Sequence, residues 1–299
     1  MVDGALLVDK PVGLSSNAAL QKAKKALRAA KAGHAGTLDP LASGLLIVLF
    51  GEATKFAGPL LDADKEYVAT LKLGERTTTG DAEGAVLETR PVEIERLAEV
   101  LERFRGESEQ VPPMHSALKH KGTPLYRLAR RGEEVERAAR RIRVSQLEVL
   151  SCALPHLVLR VVCSKGTYIR VLAEDIGEAL GCGAHLAGLR RTGCGRFRVE
   201  DAHGLDALAD ERLLPLPALL EGLPHVELSA PQELRLRQGQ TLQISGLEIG
   251  LCAVVRPDGG VIRLGEADAS GGLKPLRLTQ AAEKHLKSAP HAKRTDTRE

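Results

Sequence analysis

Strict alternation of apolar and polar positions from Lys65 to Leu73 predicts a strand with Tyr67, Ala69, Leu71 and Leu73 on one buried side. Leu45 to Phe50 is instead an unbroken apolar run closed by Gly51, which predicts a buried strand. Gly4 to Val8 is a shorter apolar strand running into a turn at Asp9-Lys10-Pro11-Val12-Gly13. Helical spacing follows. Ser15, Ser16 and Asn17 offer N-caps to a helix reaching about Ala30, with Leu20, Ala23 and Leu27 on one face. Residues 94 to 104 predict an amphipathic helix with Leu97, Val100, Leu101 and Phe104 inward. Residues 144 to 150 and 156 to 163 alternate like two antiparallel strands. After a turn at Ser164-Lys165-Gly166, Thr167 is placed to cap a helix from about Tyr168 to Leu180 that stops at Gly181. Residues 74 to 84, with Asp81 and Glu83, read as a polar loop, and Val111-Pro112-Pro113 as extended chain.

The texture changes after about Leu223. Residues 226 to 282 are Gly-rich and short-stranded, with strands expected at 241–244, 251–255 and 261–266 and a turn at Pro257-Asp258-Gly259-Gly260. A small β-barrel-like appendage over 224–283 is expected to follow a larger unit of residues 1–223. Residues 284–299 are polar and aperiodic, and a disordered tail is expected there.

A chain of 299 residues with 43% hydrophobic content can fill a substantial core, but Trp is absent and Tyr and Phe number three and four. Aliphatic residues must therefore fill the interior, and each tyrosine becomes a candidate for chemistry. No apolar run approaches the length of a membrane span, and no basic-then-apolar leader pattern opens the chain; a cytoplasmic protein is expected. Five cysteines, an odd number without a C-x-x-C pair, argue against a disulfide framework. Cys182, His185 and Cys194 resemble half a zinc site, but no fourth ligand presents itself, and buried reduced thiols are the expectation.

The net charge is only +3, yet residues 119–143 hold nine Lys and Arg against three Glu, leaving the rest of the chain net negative. Such concentration is the footprint expected of a nucleic-acid partner. Leu125, Leu128 and Ala129 suggest a short helix there, with Arg127, Arg130 and Arg131 exposed to phosphates. Lys22, Lys24, Lys25, Arg28 and Lys31 carry the same sign, no acid intervening between Lys10 and Thr37. Arg190, Arg191, Arg196 and Arg198 suggest a further basic cluster. No P-loop, dinucleotide fingerprint or dense His/Asp/Glu cluster occurs, so neither nucleotide cofactor nor metal is implied.

One carboxylate is singled out by its loop, Gly33-His34-Ala35-Gly36-Thr37-Leu38-Asp39-Pro40-Leu41-Ala42-Ser43-Gly44-Leu45-Leu46. The glycines permit a tight loop, Pro40 keeps Asp39 out of the α region, and the exit is anchored in the apolar run. Asp39 either caps this turn through a backbone N–H or reacts.

The same loop resembles the signature of the TruB family of tRNA pseudouridine-55 synthases. Supporting stretches occur in the family's order: Asp9 to Gly13, Lys65-Glu66-Tyr67, Gln110 to Pro113, Cys163 to Arg170, Gly181 to Leu186 and Leu189-Arg190-Arg191. The resemblance covers residues 1 to about 200. It implies an α+β catalytic domain on a mixed, largely antiparallel sheet with flanking helices, followed by a PUA-like RNA-binding β-barrel. It implies isomerisation of the T-loop uridine of tRNA without cofactor, by base flipping and an aspartate nucleophile. Asp39 would be that nucleophile, Arg170 the guanidinium that orients it, and Tyr67 the tyrosine against the base. Tyr168 and Leu189 would line the pocket and His34 would face the RNA. Lys10, on the substrate side with Pro11, would support the loop rather than react. The tRNA T-arm is the implied partner, with the protein a monomer acting alone. Two other readings stay open: an RNA-binding or tRNA-folding module with secondary or lost catalysis, and a guide-RNA-dependent synthase within an H/ACA particle.

Overall fold

The computed structural model describes residues 2–209 and 212–278. The expected tail at 284–299 and the end of the appendage at 279–283 lie outside the described residues.

The first strand, β1 (Gly4–Lys10), leads into helix α1 (Ser16–Ala26), whose N-cap Ser15 accepts a hydrogen bond from the Ala18 amide. Leu20, Ala23 and Leu27 are buried as the spacing predicts. The helix ends earlier than expected because Arg28 turns into the left-handed region, φ 48°. The chain then enters β2 (Ala32–His34), so Gly33 lies in a short strand rather than in the loop. β3 (Ala42–Phe50) begins three residues before the apolar run. Gly44 is thereby inside a strand, and its glycine has a packing cause. A Cβ there would stand 2.3 Å from the Arg191 carbonyl oxygen, and φ is 98°. β4 (Lys65–Leu73) matches the predicted span, with every odd-numbered residue buried.

These strands belong to a ten-stranded sheet. Its order runs His203–Gly204, β1, β3, Ala184–Cys194, β4, His156–Cys163, Arg140–Ala153 and Gly106–Gln110, with β2 beside β3 and Phe197–Arg198 beside Ala184–Cys194. Pairings are antiparallel except β1 with His203–Gly204 and β3 with Ala184–Cys194. The fold is thus α+β on a mixed, largely antiparallel sheet.

β3 reads as a continuous apolar run because both its faces are covered. Leu46, Val48 and Phe50 pack with Leu6, Val8 and the apolar side of α1. Leu45, Ile47 and Leu49 pack with Ala5, Leu7, Phe197 and Leu219. Each such leucine stabilises the fold by about 1.5–3 kcal/mol relative to exposure. Further along the sheet, Tyr67, Ala69 and Leu71 of β4 pack under Ile169, Leu172 and Ile176 of a long helix, Ile169–Leu180. That helix ends at Gly181 in the left-handed conformation, as the sequence predicts.

The C-terminal region has its own five-stranded sheet: His225–Glu227, Gly250–Val255, Val261–Ala267, Gly272–Leu278 and Leu242–Gln243. Around it Val226, Leu236, Val254, Ile262 and Leu273 form a separate apolar cluster. The sheet is open among the described residues. Helix Ala230–Arg237, closed at its start by a Ser229–Gln232 capping box, escaped the sequence reading because its burial rests mainly on Leu236. Among the described residues no helix is long and apolar enough to cross a membrane.

Gly44→Ala should lower unfolding free energy by at least about 2 kcal/mol, since it adds overpacking against backbone to left-handed strain. Urea denaturation of the two proteins measures it; equal midpoints would mean that the strands part freely at Arg191.

Candidate active site

The Asp39 loop is pinned at both ends. The Ser16 hydroxyl accepts from the Leu38 amide at 2.7 Å and donates to the Leu38 carbonyl at 2.9 Å. The Gly13 amide donates to Pro40 O, and the Ala42 amide closes a turn onto Asp39 O at 3.0 Å with Pro40 in its second position. Beyond it, Arg191 donates from Nε to Leu45 O at 2.7 Å and from Nη2 to Gly36 O at 3.2 Å. The Asp39 side chain is 47% exposed, so the loop presents its carboxylate to the cavity rather than using it as a cap.

Arg170, at the start of helix Ile169–Leu180, is only 7% exposed and pairs through Nη2 with Asp39 Oδ2 at 2.9 Å. Its Nη1 pairs with Asp81 Oδ2 at 3.3 Å. The same guanidinium donates to Thr79 O at 3.2 Å and His115 O at 2.5 Å, so two carboxylates and two carbonyls hold its planar fork. Asp81 went unrecognised in the sequence, where it belongs to a polar loop. It is 4% exposed, and its Oδ1 accepts from the Thr79 hydroxyl at 2.6 Å and the Glu83 amide at 3.1 Å. An acid two residues after a threonine was the available signal, but only the fold brings it to Arg170.

Tyr168, not Thr167, is the N-cap of that helix, and the Thr167 hydroxyl donates back to Ser164 O. The Tyr168 backbone is instead gripped by Gln110, whose Oε1 accepts from the Tyr168 amide at 2.8 Å and whose Nε2 donates to its carbonyl at 3.2 Å. Burial raises the Tyr168 phenol above its ordinary pKa. Tyr67 projects from β4 and is 9% exposed; burial pushes it up to about 12, against the opposing pull of Arg191. Both tyrosines are therefore neutral phenols.

A cavity of about 350 Å³ is lined by Asp39, Tyr67, Tyr168, Arg170, Leu189 and Arg191. A second of about 490 Å³ opens on the other side of Asp39, lined by Asn17, His34, Asp81, His115, Tyr126 and Arg130. Ser116 and Ala117 line both. Burial, then Arg191, lowers the His34 pKa, so its imidazole is neutral.

The remaining sequence candidates divide. Helix Leu125–Ala129 forms as expected, with Arg127, Arg130 and Arg131 exposed. Arg127 and Arg130 lie 6.0 and 5.7 Å from the Tyr126 ring centre. Of the three arginines, only Arg130 borders either of these two cavities. Lys10 presents no surface to a ligand: it is fully buried, and Nζ donates to Pro11 O at 2.9 Å and Leu14 O at 2.6 Å. It braces the turn. The cluster expected at Arg190 to Arg198 is divided, two of its arginines being ion-paired, one held by backbone carbonyls and one buried. Arg190 forms a two-pronged pair with Asp9, Arg196 pairs with Glu221, and Arg198 donates to Gly195 O. Arg191 turns inward and is 1% exposed. Its inward turn was illegible locally, since it depends on the register between strands. Cys182 and Cys194 are buried free thiols, and His185 Nδ1 lies 3.1 Å from Glu75 O. Among the described residues no group of three or more His, Cys, Asp or Glu is placed to hold a metal ion.

Residues 24–169 match the model of the TruB family pseudouridylate synthase N-terminal domain, and residues 170–215 that of the tRNA pseudouridylate synthase B C-terminal domain. A tRNA pseudouridine synthase B of Burkholderia mallei (strain NCTC 10247) is 56% identical over 298 residues, 93% of this chain and 97% of the relative. One from Dechloromonas aromatica (strain RCB) is 53% identical over 293 residues, 94% and 97% respectively. Among solved structures, a chain of a Cbf5-Nop10-Gar1 complex superposes with TM-score 0.72 at 29% identity, over 93% of this chain and 85% of that one.

Burial lowers the Lys10 pKa from 10.5 to about 8, opposed by nearby Asp39. Between those values the unfolded chain holds a proton that the folded one has released, so stability should rise with pH across that window. Lys10→Met should remove that rise while leaving other titrations in place. Denaturation midpoints at pH 8 and 10 measure it; parallel pH profiles for both proteins would show that Lys10 is not desolvated.

Proposed function

The chain belongs to the TruB family of pseudouridylate synthases and isomerises uridine to pseudouridine in tRNA, and we propose that its target is the T-loop uridine at position 55. The observation that carries the site assignment is the Asp39–Arg170–Asp81 row beside a cavity walled by two tyrosines and a leucine. Breaking the N1–C1′ bond, turning the base and rejoining it through C5 involves no redox change, phosphoryl transfer or net hydrolysis. The residues needed are a nucleophile at the sugar and walls that hold a detached base. Asp39 supplies the first, its carboxylate splitting one difficult displacement into two easier ones. Arg170 aims that carboxylate, its guanidinium standing 2.9 Å from Oδ2 in a planar fork that fixes direction. Tyr67, Tyr168 and Leu189 enclose the base.

A stacked uridine cannot enter such a cavity, so it is flipped out of the T-loop. The second cavity, with His34, Tyr126 and Arg130, takes the RNA that flanks it. Arg127, Arg130 and Arg131 grip phosphates, and residues 224–283 form a PUA-like domain that adds RNA surface, the catalytic domain being 1–223. The enzyme works alone as a monomer in the cytoplasm, without guide RNA, nucleotide or metal. The two tRNA synthases that share more than half of its residues support the stand-alone reading over the guide-dependent one.

The test is release of tritium from C5-labelled uridine in an unmodified tRNA transcript, with no nucleotide added and the product position mapped. One equivalent released from the T-loop uridine is expected. Release from a different position, or none, would refute the assignment.

Replacing Arg127, Arg130 and Arg131 together by Ala should weaken tRNA binding and flatten its salt dependence. Each lost phosphate contact should reduce the log–log slope by about one unit. An unchanged slope would mean that this helix face merely meets solvent.

A further inference from the structure

Three buried cations, Lys65, Arg170 and Arg191, line the cavity beside Asp39, and a fourth, Lys10, borders neither cavity. Lys10 is 0% exposed, Arg191 1%, and Lys65 and Arg170 each 7%. Arg170 is matched by Asp39 and Asp81. The other three form no ion pair with a carboxylate among the described residues. Lys10 donates to Pro11 O and Leu14 O, Lys65 to Leu60 O, Leu61 O and Ala63 O, and Arg191 to Leu45 O and Gly36 O. Carbonyls satisfy their N–H groups but do not neutralise them, and a buried charge without a counter-ion is strongly disfavoured. The two lysines can relieve this by releasing a proton, and burial does lower the pKa of both. A guanidinium cannot. Arg191 is therefore a permanent and uncompensated charge in the cavity wall.

Its position is fixed by register. In the sheet Arg191 is the direct neighbour of Tyr67 across one strand pair and of Gly44 across the other. Its guanidinium reaches the Asp39 loop at Gly36 O. It thus lies between the attacking carboxylate's loop and the tyrosine against the base.

When the N1–C1′ bond breaks, its electron pair stays on N1, and C1′ takes up a carboxylate oxygen of Asp39. The freed uracil then carries one negative charge spread over N1, O2 and O4. When C5 later bonds to C1′, the carboxylate departs with its pair, C5 loses its proton and N1 gains one. Neutral uridine thus becomes an anion inside the cavity, and only there. We propose that Arg191 is the counter-ion of the detached uracil anion, a charge left unpaired in the resting protein and paired when the base leaves. An interaction absent from the bound substrate and present in the transition state lowers the barrier without tightening the ground state.

The inference rests on the function proposed above, and one comparison separates the two. Fluorine at C5 stabilises the uracil anion intrinsically, so a leaving 5-fluorouracil needs Arg191 less. Single-turnover consumption of uridine and of 5-fluorouridine, each in the same tRNA, is measured for the native protein, Arg191→Gln and Arg191→Lys. Arg191→Gln should slow uridine by about a hundredfold. It should slow 5-fluorouridine at least about tenfold less. Arg191→Lys keeps the charge and should stay near the native ratio of the two substrates. Retained tRNA affinity and thermal midpoint identify folded variants. If Arg191→Gln slows both substrates equally, or neither, Arg191 only braces the loop and the proposal fails. Should that variant not fold, Arg191→Lys decides: the native substrate ratio supports the proposal, and a shifted ratio overturns it. A native protein that converts no uridine would sink the function itself.

Discussion

The structure turns on a buried guanidinium held between two carboxylates. Arg170 reaches Asp39 on one side and Asp81 on the other, and two backbone carbonyls complete its plane. Removing Asp81 would leave the buried guanidinium under-satisfied on the side water cannot reach, a loss of about 3–5 kcal/mol for a buried pair. Three segments far apart in sequence therefore share one position: the loop before β3, the loop after β4 and the start of helix Ile169–Leu180. The same contact aims Asp39 while its other face meets the cavity.

The sheet explains why this row can be rigid. β3 is packed on both faces, and its neighbour Ala184–Cys194 approaches so closely at Gly44 that no side chain fits. Arg191, facing Gly44 in register, ties the strand carbonyl at Leu45 to the loop carbonyl at Gly36. Ser16 secures the near side of the same loop through the backbone amide and carbonyl of Leu38. Asp39 rides on a loop, yet its supports come from strands and a helix. Such support is what the role proposed for Asp39, a nucleophile held at one bond of one flipped nucleotide, requires.

Much of this was legible in the chain because periodicity marks burial directly. β4 matched its predicted span, the strand His156–Cys163 and the stop at Gly181 followed, and the Asp39 loop stood out by glycine and proline placement. The start of β3 and the role of Gly44 were not legible, since a glycine needed for a close strand approach looks like a glycine needed for a turn. Nor was Asp81, whose partner lies 89 positions away. The four arginines after Leu189 were only partly legible for a related reason: sequence gives their sign but not their partners. Asp9 and Glu221 pair two of them, a third donates to backbone carbonyls and stays exposed, and register turns the fourth inward. Local pattern exposed what packs, and long-range ion pairs stayed hidden.

Asp39 carries the chemical claim, and one substitution addresses it without disturbing shape. Asp39→Asn keeps size and hydrogen-bonding capacity while removing the negative charge and most of the nucleophilicity. Under single-turnover conditions with excess enzyme, pseudouridine should fall below detection. Affinity for the same tRNA should change by no more than about tenfold, or about 1.4 kcal/mol. Conversion at the native rate by Asp39→Asn would contradict the account.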